Sequence, residues 1–310
     1  MKQPELMNDS DDQRFDAMER GHAAKRSTTV SILVNLILSL VQIAVGFFSL
    51  SQGLIADGIH SLSDLVADFV VLLANHHSGK SADEDHPYGH QRFENAASLV
   101  LGVILLAVGV GMLWVAVRKL EYPETIPSVH TSALWVACVA LVAKELLFRY
   151  MLAVAERVKS SMLVANAWHA RSDAASSLVV AVGIVGNLAG YPILDPIAAL
   201  IVGCMLAKMG WEFTWDALHD LTDRAADKDE VDAIVETLRS TPGVAGLHDM
   251  RTRKMGDLIL VDVHLEIDAQ LTVETSHAIA VEARTRVLQR HRVLNLMTHV
   301  DPWYPHQEMP

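Results

Sequence analysis

The chain has 310 residues, 51% of them hydrophobic, with mean hydropathy +0.26 and a formal net charge of -12. That length suits two domains of ordinary size. The acidic balance argues against nucleic acid as a partner. So apolar a chain with so much charge must segregate the two along its length.

It does. Ser27 to Ala56 contains no charged residue, and neither does Asn95 to Val117. Helices of that length cross a hydrocarbon core about 30 Å thick. After about residue 222 the composition becomes that of a charged, soluble domain. Cys138 and Cys204 lie in apolar stretches and read as buried small hydrophobes. They form no CxxC motif or disulfide framework. The first 26 residues are polar, and the apolar run after them is too long for a signal h-region, so no cleavable signal is expected.

Six spanning helices are expected, in chain order about Ser27–Leu50, Gly53–Ser78, Phe93–Leu120, Val129–Leu152, Met162–Ala189 and Ile193–Leu218. This gives a polar segment 1–26, a membrane domain 27–222 and a soluble domain 223–310. A polar loop, Gly79–Gln91, follows the second span, and Glu156–Lys159 connects the fourth to the fifth. An even number of spans puts both termini on one side, and the soluble tail suggests the cytoplasm. Lys25, Arg26, Lys80, Arg92, Arg157 and Lys159 then face inward as the positive-inside rule prefers, while Arg118 and Lys119 break it.

In the tail, Asp229–Ser240 has helical spacing, with Val231, Ile234, Val235 and Leu238 on one face. Val244–Arg253 reads as a strand and Met255-Gly256-Asp257 as a hairpin turn. Leu258–Asp268 alternates: Val261, Val263, Leu265 and Ile267 on one face, Asp262, His264, Glu266 and Asp268 on the other. Thr272–Gln289 is a second amphipathic helix and Val293–Val300 a third strand. The order predicts a small α+β sandwich.

Ionisable residues inside a membrane helix are costly and usually functional. The second span carries His60 and Asp64, the fifth His169 and Asp173, each pair four apart on one helix face. Two such faces offer two imidazoles and two carboxylates, an N/O set that zinc takes readily. The carboxylates balance one divalent cation, and the imidazoles can take protons in its place. Asp57 reads as a carboxylate suiting a helix start, Asp68 as a lining of the exit path, and Arg171 as a side chain that pairs or snorkels. Asn35 and Gln42, seven apart, read either as helix-helix glue or as the lining of a water path.

With these spans, the doubled HxxxD, the loop from Asp83 through His86 to His90 and the residues Arg92 and Glu94 after it, the chain resembles the cation diffusion facilitator family over about residues 14–303. The resemblance implies a six-helix membrane domain with a C-terminal cytoplasmic α+β, ferredoxin-like domain. It implies a homodimeric bacterial exporter in the inner membrane, moving a divalent metal out against protons by alternating access. It implies transport ligands His60, Asp64, His169 and Asp173, a loop site of Asp83, His86 and His90, and a tail site of His248, His264, His277, His299 and Asp301. It also implies an interlock between Arg92 and Asp223 at the dimer waist. Some bacterial relatives carry Asp where this chain has His60, and the His form is the zinc pattern. Iron, cadmium, cobalt and manganese are the alternative cargoes. A membrane metal sensor and an intramembrane metalloenzyme are the competing classes. The enzyme would use the His/Asp set to activate water, but HExxH is absent.

Overall fold

The computed structural model describes residues 9–78, 80, 82–157, 161–256 and 258–304. Six long helices come first: α1 (Asp9–Ser49), α2 (Gln52–Ser78), α3 (Arg92–Glu121), α4 (Thr131–Arg157), α5 (Ser161–Leu188) and α6 (Leu194–Leu221). The remaining elements follow as α7 (Lys228–Arg239), β1 (Gly246–Met255), β2 (Leu258–Asp268), α8 (Val273–Arg290) and β3 (Val293–Trp303). The described residues group into two compact units, Met1–Phe69 with Val103–Trp211, and Val70–Gly102 with Glu212–Pro310. Gly79, Lys159 at the end of the expected charged connection, and Asp257 of the expected hairpin turn lie outside the described residues.

Among the described residues, Lys25–Ser49, α3, α4 and α6 are long and apolar enough to cross a membrane by length and composition. The helices α2 and α5 are as long and carry Asp57, His60, Asp64 and Asp68, and His169, Arg171 and Asp173. Helix α1 begins at Asp9, well before the expected Ser27. No proline interrupts residues 9–26, so the helix runs on past the end of the apolar stretch.

In the first unit α4 packs against α5 and α1. The contacts use small residues on α4, with Ala133, Ala137 and Ala140 all buried. The α1–α2 turn is made by Leu50 at φ 62°, with Ser51 N–H donating back to the Gly46 carbonyl. The new helix is capped from a distant segment. The Asp195 carboxylate accepts from Ser51 Oγ at 2.6 Å, Gln52 N at 2.7 Å and Gly53 N at 3.3 Å. It occupies the α2 N-terminus as anions favour.

Two expectations are corrected here. Cys138 and Cys204 are exposed on the helix surfaces. A membrane helix is apolar on its outer face too, because lipid is as apolar as the core, so apolar neighbours do not imply burial. Asp57 does not serve the α2 start: it lies beyond the first turn, 1% exposed, bonded to side chains from other helices. The end-of-helix role belongs to Asp195.

In the second unit the tail forms a three-stranded sheet in the order β1-β2-β3, antiparallel between β1 and β2 and parallel between β2 and β3. The alternation read from β2 holds: Val261, Val263, Leu265 and Ile267 are buried in one cluster with Ile234 and Leu238 of α7 and Ala280, Ala283 and Val287 of α8. Each fully buried Val, Leu or Ile contributes about 1.5–3 kcal/mol. Both helices therefore cover one face of the sheet, which leaves the other for polar residues. Thr272 caps α8, its Oγ1 accepting from Thr275 N at 3.2 Å. β3 runs to Trp303, three residues past the expected end, because Leu265 to Asp268 of β2 go on pairing with Val300 to Trp303.

Candidate metal centres

The α2 and α5 helices bring His60, Asp64 and Asp173 together, with one ligand atom from each within 4.8 Å of the others. His60 Nδ1 and Asp64 Oδ1 are 4.0 Å apart, across one helical turn. His60 is 6% exposed. Its Nδ1 and Asp64 Oδ2 are buried without a hydrogen-bond partner among the described residues. Orphaned buried polar atoms are uncommon and call for an explanation such as an ion. His169 is not in this close group, and its side chain is exposed. It stays within electrostatic range of Asp64 and Asp173. Asp68 is exposed one turn beyond Asp64. Arg171 lays its guanidinium over Phe148 at 4.8 Å and Trp168 at 5.1 Å, a cation-π arrangement.

Beside this group lies a polar cluster that the sequence reading missed. Lys144 of α4 is 2% exposed and donates to Ser177 Oγ at 2.7 Å and Ser61 Oγ at 2.9 Å. Its Nζ is also 3.5 Å from Asp57 Oδ1 and 3.4 Å from the Asp173 carbonyl. Asp57 accepts from Gln42 Nε2 at 2.5 Å and Ser177 Oγ at 2.6 Å. Gln42 is thereby helix-helix glue, while the Asn35 amide donates to Ser31 Oγ on its own helix at 3.5 Å. The signal was in the sequence: a lysine in an apolar span is as costly as an aspartate.

The loop brings Asp83, His86 and His90 within the same 4.8 Å. No helical turn does this. The Asp83 side chain accepts from His86 N, three residues on, at 2.7 Å, and Gly89 sits at φ 84°. The imidazoles are 4.4 Å apart, and Phe93 stacks under His90. The His86 backbone N–H, with the two imidazoles, holds the Asp83 carboxyl below its usual range. After the loop, Arg92 pairs with Asp223 and donates to Met255 Sδ at 3.3 Å. Asp223, at φ 62°, ends α6, and Arg224 N–H bonds back to the His219 carbonyl.

In the tail, register builds the cluster. His248 of β1 pairs with His264 of β2, and His264 pairs with His299 of β3. Three imidazoles thus line up across the strands on the helix-free face. The Asp301 carboxylate sits at their centre: one oxygen is 2.9 Å from His264 Nδ1 and 3.1 Å from His248 Nε2, the other 3.2 Å from His299 Nε2. The hydrogen bond from His264, with the nearby imidazoles, keeps this carboxyl below the usual range. His277 of α8 stands apart from this group. It lines a cleft of about 360 Å³ with Asp268 and Asp301. A bulge follows His248, where Asp249 takes φ 46°.

Long apolar helices that bury Asp57, His60 and Lys144, followed by an α+β tail, are the build of a multi-pass membrane protein. Residues 28–222 match the family described as the cation efflux transmembrane domain, and 226–303 match the cation efflux protein cytoplasmic domain. The chain belongs to this cation efflux family, the cation diffusion facilitators, whose members are transporters and not enzymes. It is 35% identical to an uncharacterized transporter of Methanocaldococcus jannaschii, over 88% of this chain and 96% of that protein. It is 33% identical to the manganese efflux system protein MneS of Bacillus subtilis, over 94% and 98%. It is 32% identical to metal tolerance protein C1 of Arabidopsis thaliana, over 91% and 63%.

Proposed function

We propose that the chain exports a divalent transition metal from the cytoplasm in exchange for protons, with zinc preferred. The observation that carries this reading is the pair of orphaned atoms, His60 Nδ1 and Asp64 Oδ2, beside Asp173. A cation fits there because it gives both atoms a partner and balances two carboxylates. Protons can replace it on the same groups, which is the physical basis of exchange. The named metal of the Bacillus subtilis relative is manganese. Here the buried imidazole of His60 supports zinc, since imidazole suits zinc where carboxylate and water suit manganese. His169 joins the set as a fourth ligand by turning inward from its exposed position.

In this reading α2 and α5 cross the membrane with the four more apolar helices, giving six spans over residues 27–222 and both termini in the cytoplasm. The protein works as a homodimer in the inner membrane. The loop group of Asp83, His86 and His90 and the tail group of His248, His264, His299 and Asp301 hold further metal, with His277 contributing from the adjoining cleft. Arg92 and Asp223 act as the interlock at the dimer waist.

The test is metal uptake into sealed inverted vesicles with an internal pH probe. Zinc should enter faster than manganese, with protons leaving. Manganese entering as fast as zinc would refute the preference, and zinc entry with no proton movement would refute the exchange. His60→Asp should raise the cadmium and manganese rates relative to zinc.

A further inference from the structure

An ammonium buried as deeply as Lys144 persists only when its charge is matched and its donors are used. Its match is Asp57, and the rest of the cluster is neutral: hydroxyls of Ser61 and Ser177, and the Asp173 carbonyl. Asp57 is in turn saturated by Gln42, Ser176 and Ser177. Every α2 and α5 partner lies on a ligand-bearing turn. Ser61 follows His60, Asp57 is one turn before it, Asp173 is itself in the ligand group, and Ser177 is one turn after it. Lys144 is also within electrostatic range of Asp64 and Asp173.

We propose that the Lys144–Asp57 pair sets the charge met by the cargo, with Lys144 as a positioning residue that also ties the α5 ligand turn to α2 and α4. The pair sums to zero, so His60, Asp64 and Asp173 present two negative charges, the number a divalent ion cancels. Asp57 without Lys144 would make that three, and Lys144 without Asp57 would make it one. This inference rests on the reading that His60, Asp64 and Asp173 carry the metal.

The experiment is zinc flux in vesicles with purified full-length protein. Asp57→Asn removes the carboxylate that offsets the Lys144 ammonium, and the shift toward positive charge beside the ligand group weakens cation binding. KM should rise about tenfold or more. The double variant Asp57→Asn with Lys144→Met removes that charge, and KM should return to within about fivefold of the parent. A purely structural role also gives rescue, because one unpaired buried charge destabilises more than losing both partners, so unfolding midpoints are read beside KM: a KM rise at an unchanged midpoint supports the charge assignment, and one that tracks a lowered midpoint overturns it. A double variant with KM no better than that of Asp57→Asn overturns the proposal. So does an Asp57→Asn variant whose KM stays within about fivefold of the parent. Should Asp57→Asn fail to fold, the double variant decides alone: a KM within about fivefold of the parent supports the charge assignment, and a larger shift refutes it. Asp64→Asn checks the underlying reading separately. If that variant still carries zinc, the transport-site reading falls; if it does not, a failed rescue counts against the role of the Lys144–Asp57 pair alone.

Discussion

His60 and Asp64 share a face of α2 because they are four residues apart, and that much was legible in the sequence. Which residues of α5 would come close was only half legible. Asp173 closes on the α2 pair, while His169 is exposed. Helical spacing fixes a face but not the rotation of one helix against another. For the same reason Asp57 and Lys144 could not be paired from sequence: they lie on different helices and meet only through packing. On the proposed reading, in which the two carboxylates balance the cargo, Asp64→Asn and Asp173→Asn should each lower metal flux at least about a hundredfold, the loss of a charged ligand costing several kcal/mol. Initial rates in vesicles measure this, and flux within a few-fold of the parent would remove the site. Outside the membrane, the hydrogen bond from Lys254 to Asp227 at 2.9 Å holds that carboxyl below its usual range. A depressed carboxyl adds stability above its unfolded pKa and loses it as pH falls through the folded one. Lys254→Met should therefore flatten the loss of tail stability below about pH 4. Denaturant midpoints of the detergent-solubilised protein across that window test it, and an unchanged slope would refute it.

At the scale of elements, the tail strands were the most legible part. The alternation in β2 follows from a two-residue period with one buried face, and Val261, Val263, Leu265 and Ile267 obey it. The loop group was legible in its residues but not in its shape, because the Asp83 bond to the His86 backbone and the positive φ of Gly89 are turn geometry that no periodicity shows. The cap on α2 was hidden because Asp195 is remote in sequence. Asp195→Ala strips a partner from Ser51 Oγ, Gln52 N and Gly53 N. It should destabilise the protein by about 1–2 kcal/mol or more, a cap loss in a buried setting. Helices α3 and α6 show a different constraint. A Cβ at Gly210 would sit 2.3 Å from Leu106 N, and one at Gly109 would sit 2.6 Å from Ala207 N. Gly210→Ala must push the two helices apart and should cost about 1–3 kcal/mol. Thermal unfolding in detergent reads both changes, and an unaltered midpoint in either would contradict the corresponding contact.

For the whole molecule, the points where charge stops and starts fall near the limits of the two family matches, 28–222 and 226–303. The burial of individual apolar residues was not legible, as Cys138 and Cys204 show, because in such a protein the outside is also apolar. The three imidazoles in register carry a further consequence. His248, His264 and His299 come from three strands that are far apart in the chain and side by side in the sheet. An ion held by them would tie the three strands together reversibly, and only while the sheet is folded. Binding to the folded form alone adds about 2.7 kcal/mol at a metal concentration a hundred times Kd. The stability of the folded tail would then rise and fall with the free metal around it, so that the sheet records metal concentration as resistance to unfolding.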